Sequence, residues 1–199
     1  MAVNEESTPK PTPWERSAER AVDAVPNNTP VWRYLSLYGL IDAIEKQRLR
    51  LTRVDKFRDA FEGSVTKQQM EQQETILLIA ASQRQPSDED PRALIKRLRQ
   101  ARIRSSHASC WSCGYESELL WRYYCADNNC PGVGVAFRTT LARLEASLEV
   151  HNLYVRAIKY LDYQEAPPFP GDMSPLFHKR HGFADERELR LLKFNEEHY

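Results

Sequence analysis

The sequence predicts an α+β fold: a mixed, mostly antiparallel sheet with flanking helices and a two-helix insertion. Three observations carry that expectation. Strand-like and helix-like segments are interleaved without the regular strand-helix-strand rhythm of a parallel sheet. Two helical patterns follow one another over residues 66–104 with no strand pattern between them. There is also no internal repeat and no phosphate-binding glycine loop.

Length and charge set the bounds. A chain of 199 residues is large enough for one domain with a real core, here residues 31–194 with the helical insertion 66–104. Lysine plus arginine equal aspartate plus glutamate at 28 each, so the molecule as a whole does not steer towards nucleic acid. The most apolar run, Ile76 to Ala81, is far too short to cross a membrane. The polar, acidic start is unlike a secretory signal, so the expected setting is cytoplasmic, with reduced thiols.

Residues 1–30 read as a disordered tail and an arm. Pro9, Pro11 and Pro13 lie among polar residues, and Trp14, Ala18, Ala21, Val22 and Val25 then recur at helical spacing up to Pro26. Val31-Trp32-Arg33-Tyr34 begins the sheet, and Leu37, Leu40, Ile41 and Ile44 mark one face of a helix. Leu49 to Thr52 alternates as a second strand, and Phe57 to Gly63 is a compact turn. A helix over 66–82 is followed by a polar loop. Asp90-Pro91 then opens a second helix with a capping carboxylate and a proline in its first turn. That helix carries Arg92, Lys96, Arg97, Arg99 and Arg102, with Arg104 just beyond. Residues 91–104 are therefore the candidate contact for a protein or nucleic-acid partner, although such a density of charge is also an ordinary solvated face.

The central segment holds all four cysteines, Cys110, Cys113, Cys125 and Cys130. Paired thiols at short spacing suggest zinc, with His107 as a substitute ligand. A helix over 116–124 would hold Cys113 and Cys125 roughly 18 Å apart, which argues for thiols without metal. Cys113 is the thiol whose thiolate a nearby helix N-terminus would favour. His107, His178 and His181 are candidate bases for a cysteine nucleophile, but no spacing selects one. The strand Gly132 to Phe137 follows, then a helix capped by Thr139 or Thr140. A strand-like run over 153–163 and a proline-rich loop lead to a short helix from Ser174-Pro175 to Gly182. Glu186-Arg187-Glu188-Leu189-Arg190 enters a last strand.

Six boxes, Trp32-Arg33-Tyr34, Asp59-Ala60-Phe61-Glu62, Cys110-Trp111-Ser112, Trp121-Arg122-Tyr123-Tyr124, Gly132 to Phe137 and Glu186 to Arg190, occur in an order that resembles the bacterial domain-of-unknown-function family numbered 2971. The resemblance covers about residues 31–194. It departs at Ala60, where the family usually has proline, and at Arg58, where it usually has asparagine. Members of that family look like companions of bacterial phage-defence genes, which implies an interaction or toxin-like role.

The order of elements is also similar to ADP-ribosyltransferases. That similarity implies NAD as a substrate, Arg33, Tyr34 and Trp121 as its binding residues, and Glu188, Glu186 and Ser112 as the catalytic set. Glu188 would stabilise the oxocarbenium-like state as nicotinamide leaves, Ser112 would brace the site and Glu186 would orient the acceptor. Asp59, Glu62 and Arg190 complete a polar box. The same residues also allow a purely structural account: a half-exposed strand with an ion-pair ladder, Asp59 and Glu62 bracing Arg33 or Arg190, and Trp121 and Tyr124 in the core.

Overall fold

A computed structural model describes residues 25–82, 90–125, 134–148, 153–168, 171 and 173–195. The expected tail and arm before Val25, the loop 83–89, Cys130 and the start of the glycine-led strand lie outside the described residues.

The α+β class holds. Among the described residues, eight strands, β1 (Pro30–Ser36), β2 (Thr52–Arg53), β3 (Ser106–Cys113), β4 (Gly134–Thr140), β5 (Leu153–Ala157), β6 (Lys159–Leu161), β7 (His178–Arg180) and β8 (Glu188–Phe194), are interleaved with five helices. These are α1 (Leu37–Glu45), α2 (Lys67–Ser82), α3 (Pro91–Ser105), α4 (Glu118–Cys125) and α5 (Leu141–Ala146). Six strands form one antiparallel sheet in the order β4-β1-β3-β8-β5, with β2 also paired to β3. β6 and β7 form a separate parallel pair.

Local chemistry explains most element ends. Ser36 caps α1 by accepting from the Gly39 amide, Asp90 caps α3 through the Arg92 amide, and Thr140 caps α5 through the Arg143 amide. The insertion consists of α2 and α3, as its two patterns predict. Three expectations need correction. The run 153–163 is not one strand: the ladder with β8 ends at Ile158, whose amide still bonds in register to the Glu188 carbonyl, while the Glu188 amide goes to the Tyr160 hydroxyl and β6 pairs with β7 in the second sheet. The segment from Ser174 is not one helix but a 3-10 turn (Ser174–Phe177), the strand β7 and a second 3-10 turn (His181–Glu186). Of the second strand pattern, Leu49 to Thr52, only Thr52 pairs with a neighbouring strand, together with Arg53 just beyond it.

Two apolar clusters sit on opposite faces of the sheet. Val54, Ile103, Ala108, Ile158, Leu176, Phe177 and Leu192 form one. Val31, Trp111, Leu141, Leu144, Leu189 and Leu191 form the other. Gly63 lets the turn before α2 reach the first cluster: its φ is +65°, and a Cβ there would lie 2.9 Å from Ile103 Cγ1. Gly63→Ala should therefore cost about 1–3 kcal/mol in urea denaturation. Gly182→Ala, with nothing within 4 Å, should change stability by less than about 0.5 kcal/mol. Equal effects at the two positions would refute this account of Gly63.

Candidate functional site

Register builds the site. β3 pairs with β1 and β8 so that Trp32, Ser112 and Glu188 stand side by side across three strands. Residues directly opposite in an antiparallel pair share a face, and neighbours along a strand alternate. Ser112 and Cys110 therefore share one face with Glu188 and Arg190. α4 covers the adjoining part of this face. Tyr34 meets the Trp121 ring edge-on at 5.2 Å and stacks with Tyr124 at 6.4 Å, and its hydroxyl accepts from the Ser117 amide. The Trp121 indole N–H donates to Glu116.

Five charged side chains form an alternating line beneath this face. Glu62 receives Nη1 of Arg190, whose Nε donates to Glu188 Oε1 at 2.7 Å. Lys179 Nζ lies 2.8 Å from Glu188 Oε2 and 2.6 Å from Glu186 Oε2. Arg190 also donates to the Leu176 carbonyl, and the Glu188 amide donates to the Tyr160 hydroxyl. Arg190 is completely buried and Glu188 is 3% exposed. Burial opposes the charge on Glu188, but Arg190 and Lys179 outweigh it and hold its carboxyl at about 2. Burial likewise opposes the ammonium of Lys179, yet Glu188 and Glu186 raise it above its ordinary value. Burial pushes the Glu186 carboxyl up, with Lys179 as the counterweight. Four buried polar atoms here lack a hydrogen-bond partner: Ser112 Oγ, Glu188 Oε2, Glu62 Oε2 and Arg190 Nη2. Only Glu188 Oε2 among them has an ion-pair partner at hand, Lys179. Buried polar groups are nearly always hydrogen-bonded, so each of these is unusual.

The structure thus gathers Ser112, Glu186, Glu188, Arg190 and Glu62, and sets Tyr34 and Trp121 beside them. It does not gather Arg33 or Asp59. Arg33 lies on the opposite face, its guanidinium carbon 5.8 Å from the Trp111 ring centre and its Nη2 on the Arg50 carbonyl. Asp59 pairs with Arg180 at 2.8 Å. The half-exposed ladder over 186–190 is not formed either. Arg187 adopts a left-handed conformation (φ 44°), which ends the alternation before Glu188, and Glu188 and Arg190 are buried.

The cysteines separate in the same way. Cys110 faces Glu188, whereas Cys113, three residues on, packs against the Val31 and Trp111 cluster. The two sulfurs lie on opposite sides of a strand, so they cannot converge on one zinc. Among the described residues no group of three or more His, Cys, Asp or Glu is placed to hold a metal. Burial also raises the Cys113 thiol, the reverse of the activation expected for it. Among the described histidines, His178 is buried and its Nδ1 bonds to the Ser174 carbonyl.

Sequence reasoning missed Lys179 and Tyr160. Their only signal was Lys179 standing a few residues before two glutamates without a neighbour of opposite charge. Comparison with protein-family models, curated proteins and solved structures finds no match.

The clamp on Glu188 has a defined pH signature. Its folded value lies below the ordinary 4.5, so the stability it supplies is present above about 4.5 and is lost as pH falls towards 2. Wild-type melting temperature should fall steeply across that window, and Glu188→Gln should flatten the slope. An unchanged slope in the variant would count against the clamp. Arg190→Ala, which strands two carboxylates, should cost about 3–5 kcal/mol in chemical denaturation.

Proposed function

We propose that the protein is an ADP-ribosyltransferase-like domain acting on NAD or a related nucleotide, as the similarity of its element order to ADP-ribosyltransferases suggests. The observation that carries this is the pairing of Ser112 with Glu188, which joins two motifs from distant parts of the chain. Cleavage of the bond between ribose and nicotinamide builds positive charge at the anomeric carbon. A carboxylate that stays ionised stabilises that charge, and Glu188 stays ionised at any neutral pH. Nicotinamide departs with the bonding electron pair, the acceptor forms the new bond, and Glu186 takes the acceptor proton. Lys179 already touches both carboxylates, so it can release Oε2 of Glu188 to a ribose hydroxyl while keeping Glu186. The phosphate anchor assigned to Arg33 passes in this reading to Arg138. It is the cross-strand partner of Trp32, exposed on the Ser112 face, with its guanidinium 5.5 Å from the Trp32 ring centre.

A second reading, a non-enzymatic module that docks a partner protein, is favoured by one observation. Ile76, Leu78 and Ile79 of α2 are 64%, 59% and 54% exposed. Nucleic-acid contact through residues 91–104 loses support, since Arg92 is held by Glu74, Arg99 by Ser64, and Arg102 is buried.

The deciding measurement is nicotinamide release from NAD by the purified chain, followed by chromatography. Wild type should release it. Glu186→Gln, the more exposed carboxylate, should slow release about a hundredfold while the circular dichroism spectrum is retained. Absence of both NAD binding by calorimetry and nicotinamide release would end the enzymatic reading.

A further inference from the structure

A hollow of about 670 Å³ opens between the end of α1, the loop that follows it and the far ends of β3 and β8. Lys46, Arg48, Arg50, His107 and Lys193 line it, with one carboxylate, Asp42. The chain as a whole carries equal numbers of basic and acidic side chains, so four lysines and arginines against one carboxylate is a local concentration of charge.

Two parts of the fold bring these charges together. Left-handed Gln47 (φ 47°) and the Arg48 amide, which donates to the Ala43 carbonyl at 3.2 Å, end α1 and turn the chain. Leu49 then packs against the Val31 cluster, and the Arg50 carbonyl accepts from Arg33 Nη2 at 3.0 Å, which ties the loop to the sheet. On the sheet, His107 and Lys193 are register partners and stand on the face opposite Ser112. Asp42 accepts from Lys46, and that bond, with the charges of Lys46, Arg48 and Arg50, holds its carboxyl below the ordinary value. Three cations thus converge on one carboxylate, and Lys46 takes it. Among the described residues, no carboxylate pairs with Arg48, Arg50 or Lys193. Cations at a helix C-terminus are ordinary, which accounts for Lys46 and Arg48 but not for Arg50 and Lys193.

We propose that this hollow binds a compact anion with two linked phosphate groups, as in inorganic pyrophosphate or a nucleoside diphosphate. Its volume falls within the range of small-ligand sites. The charge also fits. A single phosphate monoester carries about −1.5 to −2 and leaves at least one of Arg48, Arg50 and Lys193 unmet, whereas a second phosphate meets all of them. The two arginines supply the forked donors that suit phosphate oxygens. An extended nucleic-acid strand needs a track of free cations, and here the charge stops at the edge: Arg53, paired with His107 across the strands, is held by Asp55 at 2.6 Å. The site is separate from the buried carboxylates. Lys193 lies five residues beyond Glu188 on β8, about 17 Å along the strand, and on the other face. The proposal therefore stands independently of the reading on NAD.

Titration calorimetry on the full chain tests it, with pyrophosphate and ADP as probes. Each should bind through this site, at least about tenfold more weakly in Arg48→Gln/Arg50→Gln. Arg48→Lys/Arg50→Lys should recover most of that loss, and Arg138→Gln, on the Ser112 face, should leave pyrophosphate binding unchanged. ADP binding more tightly than pyrophosphate, with the same dependence on Arg48 and Arg50, assigns the site to a nucleotide. Equal binding assigns it to the linked phosphates alone. No binding of either probe at about 1 mM overturns the proposal. So does pyrophosphate binding that is lost in Arg138→Gln and kept in the double glutamine variant. A thymidine oligonucleotide that binds more tightly than both probes through the same arginines also overturns it, because the site would then belong to a nucleic-acid track.

Discussion

The fold depends on one buried cation. Arg190 sits on β8 near the middle of the sheet with no solvent exposure, and its charge must be met where it stands. It meets Glu188 on its own strand, Glu62 in the turn before α2, and the Leu176 carbonyl in the turn before β7. These partners are remote in sequence, and the guanidinium geometry fixes each of them relative to the sheet. A second cation, Lys179, continues the line from Glu188 to Glu186 and ties β7 to the turn that leads into β8. The line runs carboxylate, guanidinium, carboxylate, ammonium, carboxylate, so every cation lies between two anions. Such an arrangement is costly to desolvate and very costly to break, which makes it a determinant of geometry more than a source of net stability.

The same line shapes the chemistry open to this face. Glu188 is kept ionised by the groups that bury it, so it can stabilise positive charge but cannot serve as a proton donor near neutral pH. Glu186, at the solvent end and pushed up by burial, suits proton transfer better. Two carboxylates separated by one lysine thus acquire different roles from their surroundings alone. Burial and the Glu188 carboxylate push the Cys110 thiol beside them well up, which disfavours the thiolate that a nucleophile needs.

Much of the fold was legible because the local signals were strong. Asp90-Pro91 and Thr140 sit where caps are needed, and the helical periodicities of α1 to α5 match their elements. What was not legible depended on single backbone events. The left-handed Arg187 sets where β8 begins, and the Tyr160 hydroxyl takes the Glu188 amide where the ladder with β5 ends, and neither residue type announces it. The site was half legible. Ser112, Glu188, Arg190 and Glu62 were visible as motif residues, while Lys179 and Tyr160 were invisible because their role comes from where the second sheet places them.

Parity along a strand explains why similar spacings led to different outcomes. Cys110 and Cys113 are three residues apart on β3, so an apparent ligand pair is split between the two faces. Cys110 and Ser112 are two apart and share a face, as Glu188 and Arg190 do on β8. Arg33 fails by the same rule: it differs by one from Trp32, the register partner of Ser112, and so reaches Trp111 on the far side. Glu186 obeys no strand rule, because Arg187 breaks the strand conformation before it, and it rejoins Glu188 through Lys179 instead. A carboxylate placed by an ion pair can move when that pair exchanges partners, whereas one placed by register cannot. Glu188 is therefore the fixed element of this site and Glu186 the adjustable one.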